Sequence, residues 1–183
     1  KYGERRIYRA IRTVLNAAFA PYRPTAEKII EKDPNSSKIL RPFLSGRNVK
    51  RYAIPGIKKY LVFLPKGTTD KMRGAMGPEE WLCTQYPAIA EHLAQFEDKA
   101  SKRKDKGDYW WELRSCRYYD EFEKTKIICP TIVKHISATI DTNGLFSNDK
   151  TSIIASDDFY LLGLLNSNLM DFYMRRICTE LLN

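Results

Sequence analysis

Strand-like runs and helical stripes succeed one another in this chain without regular alternation, and that order narrows the folds open to it. Residues 60–64 (YLVFL) and 126–133 (KIICPTIV) are apolar runs of strand length. Residues 136–142 and 151–155 read as two more strands around the turn at Asn143 and Gly144. Pro130 marks its strand as an edge or a bulge. Between these, Ile89, Leu93, Phe96 and Ala100 recur at helical spacing, so 87–100 reads as one amphipathic helix, running out before Gly107. Pro78 with Glu79 and Glu80 behind it marks another helix start. Asp157 reads as the cap of a helix in which Leu161, Leu164, Leu165, Leu169 and Phe172 form one face. Thr25 reads as an N-cap, and 38–44 as a helix closed by Gly46. The stretch from Ile7 to Leu15 fits a strand or a helix equally. This irregular order predicts an α+β fold, a mixed sheet with flanking helices, rather than βαβ units.

The chain has 183 residues, of which 43% are hydrophobic, enough to build a packed core. It reads as a single domain over 1–183, with a basic part over 1–66 and a helix–strand core over 67–183. The first residue is not Met, which fits a fragment of a longer protein. No apolar run approaches the roughly 18 residues that cross a bilayer, and no signal peptide is evident, so no membrane partner and a cytoplasmic location are expected. Cys83, Cys116, Cys129 and Cys178 match no zinc spacing and read as reduced core thiols. His92 and His135 are far apart, with no ligand type beside them.

Charge is segregated. Residues 1–66 hold 16 Lys/Arg against 4 Asp/Glu, residues 67–134 hold 12 of each, and residues 135–183 hold 3 against 6. The whole excess of +9 therefore sits in the first third. Solubility needs no such segregation; a polyanionic partner explains it.

The motifs of catalysis are missing. The sequence has no phosphate-cradling glycine loop, no nucleophile elbow and no H-E-x-x-H helix. It also lacks the Asn/Asp-Pro-Pro-aromatic loop with which adenine methyltransferases hold a flipped base. Asp120, Glu121 and Glu123 could hold a metal, but read better as a solvated helix face; with Lys124 they supply only the residue types of a nuclease. Basic clusters carry more. Arg41, Arg47, Asn48, Lys50, Arg51 and Tyr52 surround Gly46, where types suited to phosphates and base edges meet a glycine that permits close approach. A salt-bridged surface turn is the equal alternative. Arg5, Arg6, Arg9, Arg12, Thr13 and Asn16 form a second cluster. Lys102, Arg103, Lys104 and Lys106 form a third, which reads more readily as a solvated helix end. Trp110 and Trp111 could stack on bases or anchor the core.

Six blocks in order resemble the TaqI-like C-terminal specificity domain. Residues 11–19 (IRTVLNAAF) are similar to its G-I-x-T-G-x-N-x-A-F opening, and 33–52 (DPNSSKILRPFLSGRNVKRY) to its D-P-x-S-x-x-I-x-P-F-L-x-G-R-D-I-x-R-Y block. Next come YPAI with Leu93, then Arg103 through WELR at 111–114, FEKTKII at 122–128 and LLNSNL at 164–169, each at its place in the family pattern. Ala10 and Val14 stand where the family has glycines. The family extends beyond the L-L-N-S helix toward a proline-rich end, so this chain reads as a partial domain.

The resemblance implies a target-recognition domain of type IIG restriction–modification enzymes or N6-adenine DNA methyltransferases, which act in phage defence. Such a domain reads double-stranded DNA and is not itself catalytic. It implies no cofactor in this segment, and S-adenosylmethionine and Mg2+ for other domains of the parent. The partners implied are double-stranded DNA and a covalently linked methyltransferase domain, with or without a nuclease domain. The DNA-binding residues expected are Arg12, Thr13, Asn16, Arg41, Arg47, Asn48, Lys50, Arg51, Tyr52, Arg103, Lys104, Trp110 and Arg114. A protein-docking domain is the alternative, and it predicts an exposed apolar patch.

Overall fold

The computed structural model describes residues 7–54 and 56–177; Arg5, Arg6 and Cys178 lie outside them. In chain order the elements are β1 (Ile7–Arg9), α1 (Asn16–Phe19), α2 (Arg23–Lys32), β2 (Leu40–Leu44), β3 (Lys59–Val62), α3 (Thr68–Met72) and α4 (Pro78–Gln85). There follow α5 (Pro87–Ala94), α6 (Glu97–Ser101), β4 (Lys126–Pro130), β5 (Thr139–Asp141), β6 (Phe146–Ser147), β7 (Thr151–Ile154), α7 (Phe159–Leu165) and α8 (Asn168–Ile177). The fold is α+β. No helix among the described residues is long and apolar enough to cross a membrane.

The chain divides into two compact units. Among the described residues, one comprises 7–11, 44–54, 56 and 118–177; the other comprises 12–43 and 57–117.

The first unit is built on an antiparallel sheet in the order β1-β7-β4-β5. β-Branched and apolar residues make its core: Ile127, Ala138 and Leu162 are buried, with Ile140, Ile154, Leu161 and Leu165 packed against them. Lys126 and Asp141, paired across β4 and β5, are fully buried and joined by a 2.5 Å ion pair. Asp141 also accepts from the N–H groups of Asn143 and Leu145, which closes the turn after β5. Asp158, rather than Asp157, caps α7, accepting from Tyr160 and Leu161 N–H. The expected single helix breaks at Asn166. Its side chain turns inward and exchanges two hydrogen bonds with the backbone of Ala138, at 2.8 and 2.9 Å. The break rotates α8. Its acid, Asp171, faces inward onto Ile136 N–H and His135, while Leu169, Phe172, Tyr173 and Ile177 face outward. The single inner face expected of Leu161, Leu164, Leu165, Leu169 and Phe172 is thereby corrected.

In the second unit, β2 pairs antiparallel with β3, Leu40 opposite Val62 and Phe43 opposite Lys59. Phe19, Leu61, Leu64, Leu82, Ile89, Leu93 and Leu113 are fully buried in this unit. The helix expected over 38–44 is absent. Asp33 caps a 3-10 turn over Pro34–Ile39, accepting from Asn35 N–H and the Ser36 hydroxyl. Pro42 has no N–H to extend a helix, and the chain leaves the turn as β2. The helix expected over 87–100 also breaks, at Gln95 and Phe96, into α5 and α6. Pro78 and Glu80 behave as read: Pro78 opens α4 and Glu80 accepts from Gly77 N–H.

Candidate nucleic-acid interface

Register places one group of cations in the first unit. Pro130, at the end of β4, lies opposite Thr151, at the start of β7; Ile128 faces Thr139, at the start of β5; Arg9, closing β1, faces Ser152. One end of the sheet therefore collects Arg9, Lys150 and the 131–138 loop. The segment 46–53 runs across that same end. Gly46 N–H donates to the Asn148 side chain, and a Cβ on Gly46 would stand 2.7 Å from the Lys150 carbonyl, so only glycine fits there. Further on, Arg51 Nε donates to the Ile136 carbonyl and Tyr52 N–H to the Ala138 carbonyl. Lys50 and Ala53 close a tight turn whose corner, Tyr52, has a φ of 58° and lies 61% exposed. Arg9, Arg47, Lys50, Arg51, Lys134 and Lys150 are all exposed at this end, and Asn48 is half-buried beside Arg47. Gly46 therefore opens a 3-10 turn instead of closing a helix.

The second unit displays a different group around residues 12–16. Leu15 N–H donates to the Thr13 carbonyl at 2.6 Å across Val14, whose φ is 59°. That is a γ-turn of the rare, strained hand. A left-handed L-residue costs about 1–2 kcal/mol, and β-branching makes Val14 a genuine outlier. Such a conformation persists only where its surroundings over-determine it.

Those surroundings are visible. Arg103, fully inside this unit, lies over the Phe19 ring at 3.9 Å and donates to the carbonyls of Thr13, Trp110 and Glu112 at 3.2, 2.9 and 3.0 Å. Burial pushes its pKa down, opposed by Asp105. Thr13 is itself buried, its hydroxyl donating to the Asn16 side-chain oxygen at 2.5 Å. His92 Nε2 bonds the Ala18 carbonyl and so holds α1, and burial lowers the His92 pKa. The Glu112 carboxylate, wholly buried, accepts from the N–H groups of Gly67, Thr69 and Asp108. Gly107 lies so close that a Cβ there would meet Glu112 at 2.6 Å.

Of the residues expected at the interface, the structure thus turns Thr13 and Arg103 inward as supports. Arg12 and Asn16 are exposed, Arg12 sharing a 3.3 Å ion pair with Asp105. Lys104 is exposed as well. Trp110 is half-buried and meets Trp111 edge-on, while Trp111 is buried and donates to Thr69. Arg41 is half-buried, its guanidinium on the Lys38 carbonyl and near the Phe63 ring, and Arg114 is half-buried too. Lys134 and Lys150 join the first group although sequence reading passed over them. Lys150 lay in a stretch of net negative charge, and only strand pairing brings it beside Gly46. Elsewhere, Lys124 pairs with Glu121 at 2.7 Å, and no group of three or more His, Cys, Asp or Glu among the described residues could hold a metal.

The model of the TaqI-like C-terminal specificity domain matches residues 41–182. The chain belongs to this family. Its fold is similar to that of the Type IIL restriction–modification enzyme MmeI, solved in complex with DNA, with a TM-score of 0.63 and 15% identity. That likeness covers 96% of this chain and 22% of MmeI, so the specificity domain spans about a fifth of that enzyme's length. No curated protein matches the sequence.

Proposed function

We propose that this specificity domain is the DNA target-recognition module of a restriction–modification enzyme, seating on double-stranded DNA and leaving chemistry to other domains. The observation that carries the reading is the gathering of Arg9, Arg47, Lys50, Arg51, Lys134 and Lys150 at one end of a sheet in a member of this family. Cations so grouped neutralise phosphates and fix a protein's register on the duplex. Arg51 is oriented by its bond to Ile136, and Gly46 lets the loop lie close against its neighbour. The contacts proposed in the first unit are Arg9, Arg47, Asn48, Lys50, Arg51, Tyr52, Lys134 and Lys150; those proposed in the second are Arg12, Asn16, Arg41, Lys104, Trp110 and Arg114. A methyltransferase domain linked in the same polypeptide would methylate adenine from S-adenosylmethionine, and a nuclease domain, where present, would cut with Mg2+. Such a module would act in the cytoplasm.

A salt titration of duplex binding tests this. The logarithm of affinity should fall with that of salt at roughly −0.9 per phosphate contact, and replacing both Arg47 and Arg51 by Ala should flatten the slope by about 2. Affinity indifferent to salt would refute the reading.

The outward stripe Leu169, Phe172, Tyr173 and Ile177 on α8 favours a second reading, protein docking. The two are compatible, because the stripe and the cations use different residues. Self-association that disappears in Phe172→Ser, without any DNA affinity, would favour docking alone.

A further inference from the structure

We propose that Val14, with Asn16, reads the major-groove edge of a thymine. The inference rests on the DNA-recognition reading above.

Val14 combines three properties that rarely meet. It is β-branched, it sits at a φ of 59°, and it remains 54% exposed. An exposed valine gains little from packing, and glycine would take this conformation without strain. The fold nevertheless fixes the turn rigidly, through Arg103 on the Thr13 carbonyl, Thr13 on Asn16, and Arg103 over Phe19. The result is a pair of methyl groups held at a set place on a pinned turn. Strain concentrated at one over-determined, solvent-facing residue is the pattern of a ligand-contacting position.

The neighbour defines the ligand. The Asn16 side-chain oxygen accepts from the Thr13 hydroxyl, which leaves the amide NH2 of this exposed residue to donate to a ligand. The turn therefore offers a hydrogen-bond donor two residues from an apolar knob, flanked by Arg12. In the major groove thymine presents its O4 acceptor next to its C5 methyl, which complements that donor and knob. Adenine and guanine carry no methyl, and cytosine presents an amino donor that would oppose the Asn16 amide.

The test uses the chain itself on a randomised duplex library, comparing wild type with Val14→Gly, which relieves the strained φ and so keeps the fold, and with Asn16→Ala. We expect a thymine in the wild-type selected site that weakens as a preference in both variants. Replacing that thymine by deoxyuridine, which removes only the methyl, should weaken wild-type binding about fourfold and leave Val14→Gly indifferent. 5-Methylcytosine at that position should fail to restore affinity. Three outcomes overturn the inference: identical selected sites for wild type and Val14→Gly, no effect of deoxyuridine at any selected thymine, or full rescue by 5-methylcytosine. A binder with salt-dependent affinity and no base preference overturns it while sparing the DNA reading; absence of salt-dependent binding by wild type overturns both.

Discussion

Replacing Glu112 by Gln removes a charge from the interior without changing its shape. The carboxylate accepts from Thr69 N–H at 3.0 Å on one oxygen, and from Gly67 and Asp108 N–H at 3.2 and 2.9 Å on the other. A glutamine has one acceptor oxygen. Placed where it keeps Gly67 and Asp108, it sets its NH2 against the Thr69 N–H and leaves that donor unpaired inside the unit. An orphaned buried donor costs about 1–3 kcal/mol, and bonds to a neutral oxygen are weaker than those to a charged one by about 1 kcal/mol. Easier desolvation of the neutral amide offsets part of this. The net expectation is about 3 kcal/mol, or roughly 6–12 °C in Tm for a chain of this size. Thermal unfolding by circular dichroism measures the loss, and amide exchange at Thr69 localises it. A shift below about 0.5 kcal/mol, the range of ordinary surface substitutions, would refute the view that Glu112 organises these loops.

Arg103→Lys should destabilise by about 2–4 kcal/mol, because an ammonium cannot span the Thr13, Trp110 and Glu112 carbonyls from above Phe19; urea unfolding reads the change, and a neutral result would mean the guanidinium is dispensable. His92 has a folded pKa below its ordinary 6.5, so its contribution holds above that pH and is lost as pH falls through the folded value. His92→Asn should flatten stability against pH in that window. Asp171 is held below the ordinary 3.8, first by His135, then by Ile136 N–H, so the tether of α8 should weaken as pH falls beneath that value, and less steeply in His135→Ala. The Cys129 thiol, pushed to about 11 by burial, should resist alkylation at neutral pH while exposed Cys83 reacts, as peptide mapping after iodoacetamide would show.

Local signals were legible where one residue decides. Pro78 and Glu80 mark the start of α4, and the apolar run from Lys126 holds β4, which stops at Pro130 and lies between β7 and β5 rather than at an edge. Family resemblance carried the rest of the functional reading, through blocks that composition alone could not have ranked. Three kinds of feature escaped. At 34–44, Asp33 and Pro42 together convert an apparent helix into a 3-10 turn and a strand, and spacing does not reveal that competition. Arg103 looked like one more cation in a basic run, because its ring partner, Phe19, is distant in sequence. β1 pairs with β7 across most of the chain, and only that pairing brings Arg9 to the end of the sheet that holds Lys150. Periodicity reports which face of an element is apolar; it carries no information about which distant segment an arginine will meet.

The chain passes from one unit to the other after residues 11, 43, 56 and 117. Residues 44–56 are thus a stitch, a short visit to the first unit between two long stretches of the second, and the strained turn at Val14 begins just past the first passage. A recombination breakpoint between these passages would leave both units as hybrids of two parents. Only replacement of the whole segment at once keeps each unit from a single parent.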